Sequence, residues 1–274
     1  MANAPGDLAL YELDGAVAII TMNRPEKRNA LSVELKQALI TRFHKAEADD
    51  DVAVVVLRGA GKTFCAGADI SPSPEKEARK GNGLKTYAHH AKTLDFHLTP
   101  WALAKPVIAS VQGHAMGAGC ELAMMCDLTI AADNAIFGEP EIRFASVGSA
   151  VIMPWIIGHK RSRELLYLGD TIPADQAMSI GMINRVVPEA ELETETLRYA
   201  QRLALVGRQS LSAAKHAINQ GIEAQGFRNA LKAGVLTVGL LHTSKIESDE
   251  RFYEKAEAEG AAAAFKWRNA QFKE

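Results

Sequence analysis

The sequence predicts an α/β fold, a parallel sheet built over roughly the first 190 residues, followed by a section made of helices alone. Two observations carry this reading. Three apolar runs, Val52 to Arg58, Val107 to Val111 and Leu128 to Ala132, look like strands buried on both faces, and they alternate with helical patterns. After Pro188 the apolar residues recur only at helical spacing.

Each element follows in order. Leu8 to Leu13 and Ala16 to Met22 are β-prone runs on either side of Asp14-Gly15, which reads as a hairpin. Ser32 is an N-cap for a helix reaching about Ala48, with Leu35, Leu39, Ile40 and Phe43 on one stripe. Ser71 to Gly83 holds two prolines, two glycines and many charges, and is expected to be an exposed, mobile loop. A helix is expected over Leu84 to Leu103, Pro106 opens the strand Val107 to Val111, and another helix starts near Gly117. Beyond Pro188, Glu189 to Val206, Ser210 to Ala224, Arg228 to Leu241 and Ser248 to Phe272 read as helices. The chain thus divides into sections 1–190 and 191–274.

Composition narrows the function. The 274 residues carry 31 Lys and Arg against 33 Asp and Glu, a net charge of −2, with 47% apolar and 23% charged residues. A disordered chain would be less apolar or more charged, and a nucleic-acid binder would show a basic excess. Cys65, Cys120 and Cys126 form neither a disulfide framework nor a CxxC pair, which fits a reducing compartment. No apolar run is long enough for a membrane span, and Met1 to Gly15 shows no signal or transit pattern. The expectation is a cytoplasmic protein with no membrane and no nucleic-acid partner.

Two glycine-containing segments stand at strand exits, the edge where α/β sheets bind ligands. Gly59 to Thr63 resembles the end of a phosphate-binding loop, but the required earlier glycine position is Val56, inside a strand. Phe64-Cys65-Ala66-Gly67-Ala68-Asp69-Ile70 and Gly113-His114-Ala115-Met116-Gly117-Ala118-Gly119-Cys120-Glu121 are more informative. Small residues there allow close backbone approach, and two such loops after neighbouring strands could aim two amides at one oxygen. Tight helix–strand packing explains the same residues equally well. The glycines at 113, 117 and 119 do not make the dinucleotide fingerprint GxGxxG.

Glu121 is an acid inside an apolar helical run, and Glu141 follows Phe137-Gly138-Glu139-Pro140. Two semi-buried carboxylates beside an oxyanion hole would form a general acid/base pair. The plainer alternatives are a helix-dipole contact for Glu121 and a surface acid for Glu141. His114 lacks metal-ligand spacing, and His89, His90 and His97 read as structural or solvated helix positions. Cys120 reads as a small buried filler, and Ser110 and Ser146 lack a nucleophile elbow.

Taken in order, the motifs resemble the crotonase superfamily, and within it the enoyl-CoA hydratases. The resemblance rests on Asn23-Arg24-Pro25, Asn29-Ala30-Leu31, Phe64 to Ile70, Lys105 to Ala109, Gly117 to Ala123, Phe137 to Ile142, Leu168-Gly169-Asp170, Gly181 to Asn184 and Val186-Val187-Pro188. It implies the ClpP/crotonase-like spiral of repeated ββα units, with a C-terminal helical oligomerisation section and a homotrimer or hexamer. By the same likeness Glu121 and Glu141 are the catalytic glutamates, and the amides of Ala68 and Ala118 form the oxyanion hole. Ala66, Asp69 and Ile70 would line the coenzyme A, with Arg24 and Arg28 as candidates for its phosphates. Coenzyme A enters as part of an acyl-CoA substrate, with no permanently bound cofactor and no metal. Isomerase, other lyase or hydrolase chemistry on acyl-CoA, and non-catalytic acyl-CoA binding are the alternatives. Arg143 to Trp155 departs from the family's glycine-rich stretch, so the acyl pocket is expected to differ.

Overall fold

A computed structural model describes residues 6–144, 146–148, 151–244 and 247–272. The hairpin is formed by β1 (Ala9–Asp14) and β2 (Val17–Met22), antiparallel with Asp14 opposite Val17. Helix α1 (Val33–Ala48) starts where the Leu35 amide donates to Ser32 Oγ at 3.2 Å, and it buries Leu35, Leu39, Phe43 and Ala46. Next come β3 (Val54–Gly59), α2 (Pro74–Arg79), α3 (Gly83–Ala102) and β4 (Val107–Val111). The site-bearing stretch comprises β5 (His114–Met116), α4 (Ala118–Met125), β6 (Leu128–Ala132) and β7 (Ile136–Gly138). Then follow α5 (Met153–Leu168), β8 (Thr171–Pro173), α6 (Ala174–Ser179) and β9 (Arg185–Val187). The chain continues as α7 (Leu192–Ala204), α8 (Arg208–Ala224), α9 (Phe227–Leu241), α10 (Glu247–Glu259) and α11 (Ala261–Ala270).

The main sheet has the order β1-β2-β3-β4-β6-β9 and is parallel except for the first pair. Its strands alternate between two cores. Ala18, Ile20, Val55, Leu57 and Ala109 face the larger one, with α1 and α4. Val17, Ile19, Val54, Val56, Ile108 and Ile130 face the smaller one, closed by Leu192 and Ala200 of α7. Burial on both faces is why these strands read as continuous apolar runs. A second sheet, β5-β7-β8, has only three-residue strands and lies at the exits of the first.

Two sequence expectations are corrected. Ser71 to Gly83 is not all loop: Ser73 caps α2 by accepting from the Lys76 amide at 3.2 Å, and Pro74 opens it. Proline at the first helical position starts a helix rather than breaking one. Lys76 Nζ then donates to the carbonyls of Asp69 and Ser71, tying this segment to the loop before it. The expected single helix over Ser248 to Phe272 is two, because Gly260 at φ 88° separates α10 from α11. Among the described residues, no helix is long and apolar enough to cross a membrane.

Lys215 fastens α8 to the body. It is 7% exposed, and Nζ donates to the carbonyls of Pro100 (2.8 Å) and Lys105 (3.1 Å) and to Asp127 Oδ2 (2.7 Å). The same Asp127 oxygen accepts from the Val107 amide at 2.7 Å. Lys215 is buried while Asp127 reaches solvent, so removing the lysine leaves a partly hydrated charge and two carbonyls without their donor. Lys215→Met is therefore expected to lower unfolding free energy by about 1.5–3 kcal/mol in urea titrations. An unchanged midpoint would show that water already solvates the pair.

Candidate active site

The loop after β3 is pinned on both sides. The Phe64 and Cys65 amides donate to the carbonyls of Gln112 and His114, and the Met116 amide donates to that of Cys65. Opposite, the Leu31 amide donates to Gly67 O and the Asp69 amide to Leu31 O. These contacts bracket Ala68, whose own amide donates to no other described residue. The Ala118 amide, in the first turn of α4, likewise donates to no described residue. The two loops touch: a Cβ on Gly67 would stand 2.8 Å from Met116 O and 3.8 Å from Ala118 N. Two open amides on adjoining turns, one at a helix N-terminus, can receive a carbonyl oxygen that gains negative charge.

Three carboxylates gather beside them. Glu121 lies in the first turn of α4 with no solvent exposure. Glu141 lies in a short 3-10 helix, Pro140–Phe144, directly after β7. Its Oε1 comes within 1.5 Å of where a Cβ on Gly117 would be. Only glycine, here at φ 49°, lets the carboxylate rest against this backbone. Glu139 is 3% exposed. A methyl on Gly148 would touch Glu121 Oε1 at 2.7 Å and Glu139 Oε2 at 3.3 Å, so one small point contacts both acids. Glu139 Oε1 and Glu141 Oε2 are closed to solvent and have no hydrogen-bond partner among the described residues.

This crowding sets the protonation. Burial, with the charges of Glu121 and Glu141 added, pushes the Glu139 carboxyl well above its ordinary value. Burial pushes Glu141 up to about 7. His97 of α3 is fully buried, with Nε2 3.0 Å from Ala118 O and Nδ1 3.4 Å from Glu121 Oε2. Burial first, and the Lys36 charge after it, lower its pKa to about 4, against the opposing bond to Ala118. The Cys120 thiol is pushed far up by burial and by the three acids, which suits a filler rather than a nucleophile. Among the described residues no His, Cys, Asp and Glu cluster has the arrangement of a metal site.

Comparison with known proteins decides the family. The family described as enoyl-CoA hydratase/isomerase matches residues 12–260. The chain belongs to the enoyl-CoA hydratase/isomerase family. It is 34% identical over 270 residues to "Probable enoyl-CoA hydratase echA8" of Mycobacterium bovis, covering 96% of both chains. It is 34% identical over 219 residues to a short-chain-enoyl-CoA hydratase of Clostridium acetobutylicum, covering 78% of this chain and 82% of the relative. A crystal structure of an enoyl-CoA hydratase/isomerase from Xanthobacter autotrophicus Py2 superposes with TM-score 0.92 at 36% identity, covering 97% of this chain and 99% of that one. The fold is that of the crotonase superfamily, with its helical C-terminal section.

Within this hydratase/isomerase-family fold, the structure brings Ala68, Ala118, Glu121 and Glu141 together at the junction of the two sheets. Ala66 and Ile70 are exposed on the loop bearing Ala68. Asp69 is paired with Arg24 at 2.6 Å, and Arg24 also donates to Ala30 O, so that guanidinium is already engaged. Arg28 is exposed, and its carbonyl accepts from the Ala66 amide. The alternative of Glu141 as a surface acid is corrected, since Oε2 is shielded although the residue as a whole is half-buried. His97 is not solvated but packed against Glu121, while His90 pairs with His242 of α9 at 2.9 Å. Sequence reasoning passed over Glu139. The signal was there in Glu139-Pro140-Glu141, two acids flanking a proline at a strand exit.

Proposed function

We propose that the chain adds water across the 2,3 double bond of a 2-enoyl-CoA thioester. The observation that carries this is the set of shielded carboxylates gathered near two amides, on adjoining turns, that donate to no described residue. The thioester oxygen would accept from the amides of Ala68 and Ala118. Glu141 takes a proton from water as its oxygen bonds to C3, and the C2=C3 electron pair moves toward the thioester as an enolate. Glu121 then gives a proton to C2, and the thioester carbonyl re-forms. Each amide contributes on the order of 3 kcal/mol in the transition state, and acid/base help adds about 10²- to 10⁴-fold. The reaction so drawn needs no bound cofactor.

Coenzyme A would run along Ala66, Asp69 and Ile70. Because Arg24 is paired with Asp69, Arg28 is the freer phosphate contact of the two arginines. The exposed apolar side chains Leu84, Tyr87, Leu236 and Leu240 on α3 and α9 suit subunit contacts, and we infer a homotrimer or hexamer.

Crotonyl-CoA, followed by loss of enone absorbance and by product mass, tests the reading. Hydration adds one water to the mass. A product of unchanged mass with a shifted double bond would instead assign isomerase chemistry. No turnover of short, medium or aryl enoyl-CoA thioesters would defeat it. Glu141 must be ionised to take a proton, so kcat/KM is expected to rise with pH through an apparent value near 7. A rate that is flat from pH 5.5 to 8 would remove Glu141 from the base role.

A further inference from the structure

We propose that His97 is the positioning residue of Glu121: held as its Nε2–H tautomer by the Ala118 carbonyl, it turns the Nδ1 lone pair to Glu121 Oε2 and keeps the site's proton on that carboxyl. The inference deepens the hydration reading and rests on it for the acid role of Glu121. The tautomer itself follows from geometry alone.

The argument is one of donors and acceptors. A carbonyl oxygen accepts and never donates, so the nitrogen 3.0 Å from Ala118 O carries the hydrogen. In a neutral ring the other nitrogen then offers only a lone pair. Nδ1 has no hydrogen-bond partner among the described residues, and the charged group nearest it is Glu121 Oε2 at 3.4 Å. A lone pair facing a carboxylate repels it, whereas a lone pair facing a carboxylic acid accepts its proton. One proton therefore belongs on this edge. Full burial of both side chains disfavours the alternative, an imidazolium beside a carboxylate.

The surroundings agree. The groups facing His97 are Glu121 and the Ala118 carbonyl from α4, and Lys36 from α1, whose charge further disfavours imidazolium. Arg79 of α2 and His242 of α9 act on His89 and His90, on earlier turns of α3. Beyond Glu121 lie Glu139 and Glu141, which also favour a protonated neighbour. The same ring joins the acid to the first turn of α4, whose amide at Ala118 is proposed to hold the thioester oxygen. Proton donor and oxyanion donor are thus spaced by one rigid group.

Two measurements that need no turnover test this. Nitrogen-15 NMR of histidine-labelled protein at pH 7, with His97 assigned through H97Q, should show Nε2 protonated and Nδ1 bare. A protonated Nδ1, whether as the other tautomer or as imidazolium, would overturn the proposal. Infrared titration should show a carboxylic acid band that is lost in E121Q. While H97Q, whose side-chain amide can both donate to Ala118 O and accept from Glu121, should keep that band near the parent position, in H97L, which offers no acceptor, it should titrate about one pH unit lower. No shift in H97L, or a shift upward, would refute the role. Since neither readout requires hydration, an inactive protein with these signatures would fail the functional reading alone, and an active one without them would fail this inference alone.

Discussion

Glu141→Gln is expected to lose about 10²- to 10⁴-fold in kcat on a 2-enoyl-CoA thioester, with KM little changed. The amide keeps the size of the side chain against Gly117 but cannot take a proton from water. Glu121→Gln should lose a similar factor, since it cannot supply the proton at C2. A fully active Glu141→Gln would point to an isomerase working with one carboxyl. The same variant carries a stability signature of opposite sign. Folding raises the Glu141 carboxyl from 4.5 to about 7, so the folded state holds this proton more tightly than the unfolded one. That contribution is complete below pH 4.5 and is lost as the pH rises through about 7. Above neutrality Glu141→Gln should therefore be more stable than the parent, by up to about 3 kcal/mol at roughly 1.4 kcal/mol per unit. Chemical denaturation at pH 8 reads it.

Gly117→Ala is expected to be nearly as damaging to activity without replacing a titratable group. The new methyl would lie 1.5 Å from Glu141 Oε1, and the residue would have to hold φ 49°. The carboxylate must leave its place or the α4 N-terminus must shift, and the latter moves the Ala118 amide as well. A rate within tenfold of the parent would mean that the acid works from some other position. Circular dichroism and melting of the variant separate this effect from failure to fold.

The main sheet was legible because its inner strands are covered on both faces, so Val107–Val111 and Leu128–Ala132 appear with the bounds read from their apolar runs. Glu121 was legible as an acid in an apolar helix. Glu139 was not, because it directly follows β7, which pairs with β5 and β8, all three-residue strands too short to leave a pattern. His97 belongs to the buried face Thr86, His90, Thr93 and His97 of α3, spaced as a helix stripe but polar, so it did not look like core. The partners of Lys215 lie far away in the sequence, and no local spacing announces them. Proline and glycine between Ser71 and Gly83 hid α2, since composition alone does not distinguish a helix start from a loop.

The shared geometry of the two amides and the glutamates is read most directly by a crystal structure with a 3-hydroxyacyl-CoA thioester, the product of hydration. The thioester oxygen should lie about 2.7–3.1 Å from both the Ala68 and Ala118 nitrogens, with the C3 hydroxyl between Glu121 and Glu141. A thioester bonded to neither amide, or an acyl chain leading away from the glutamates, would contradict it.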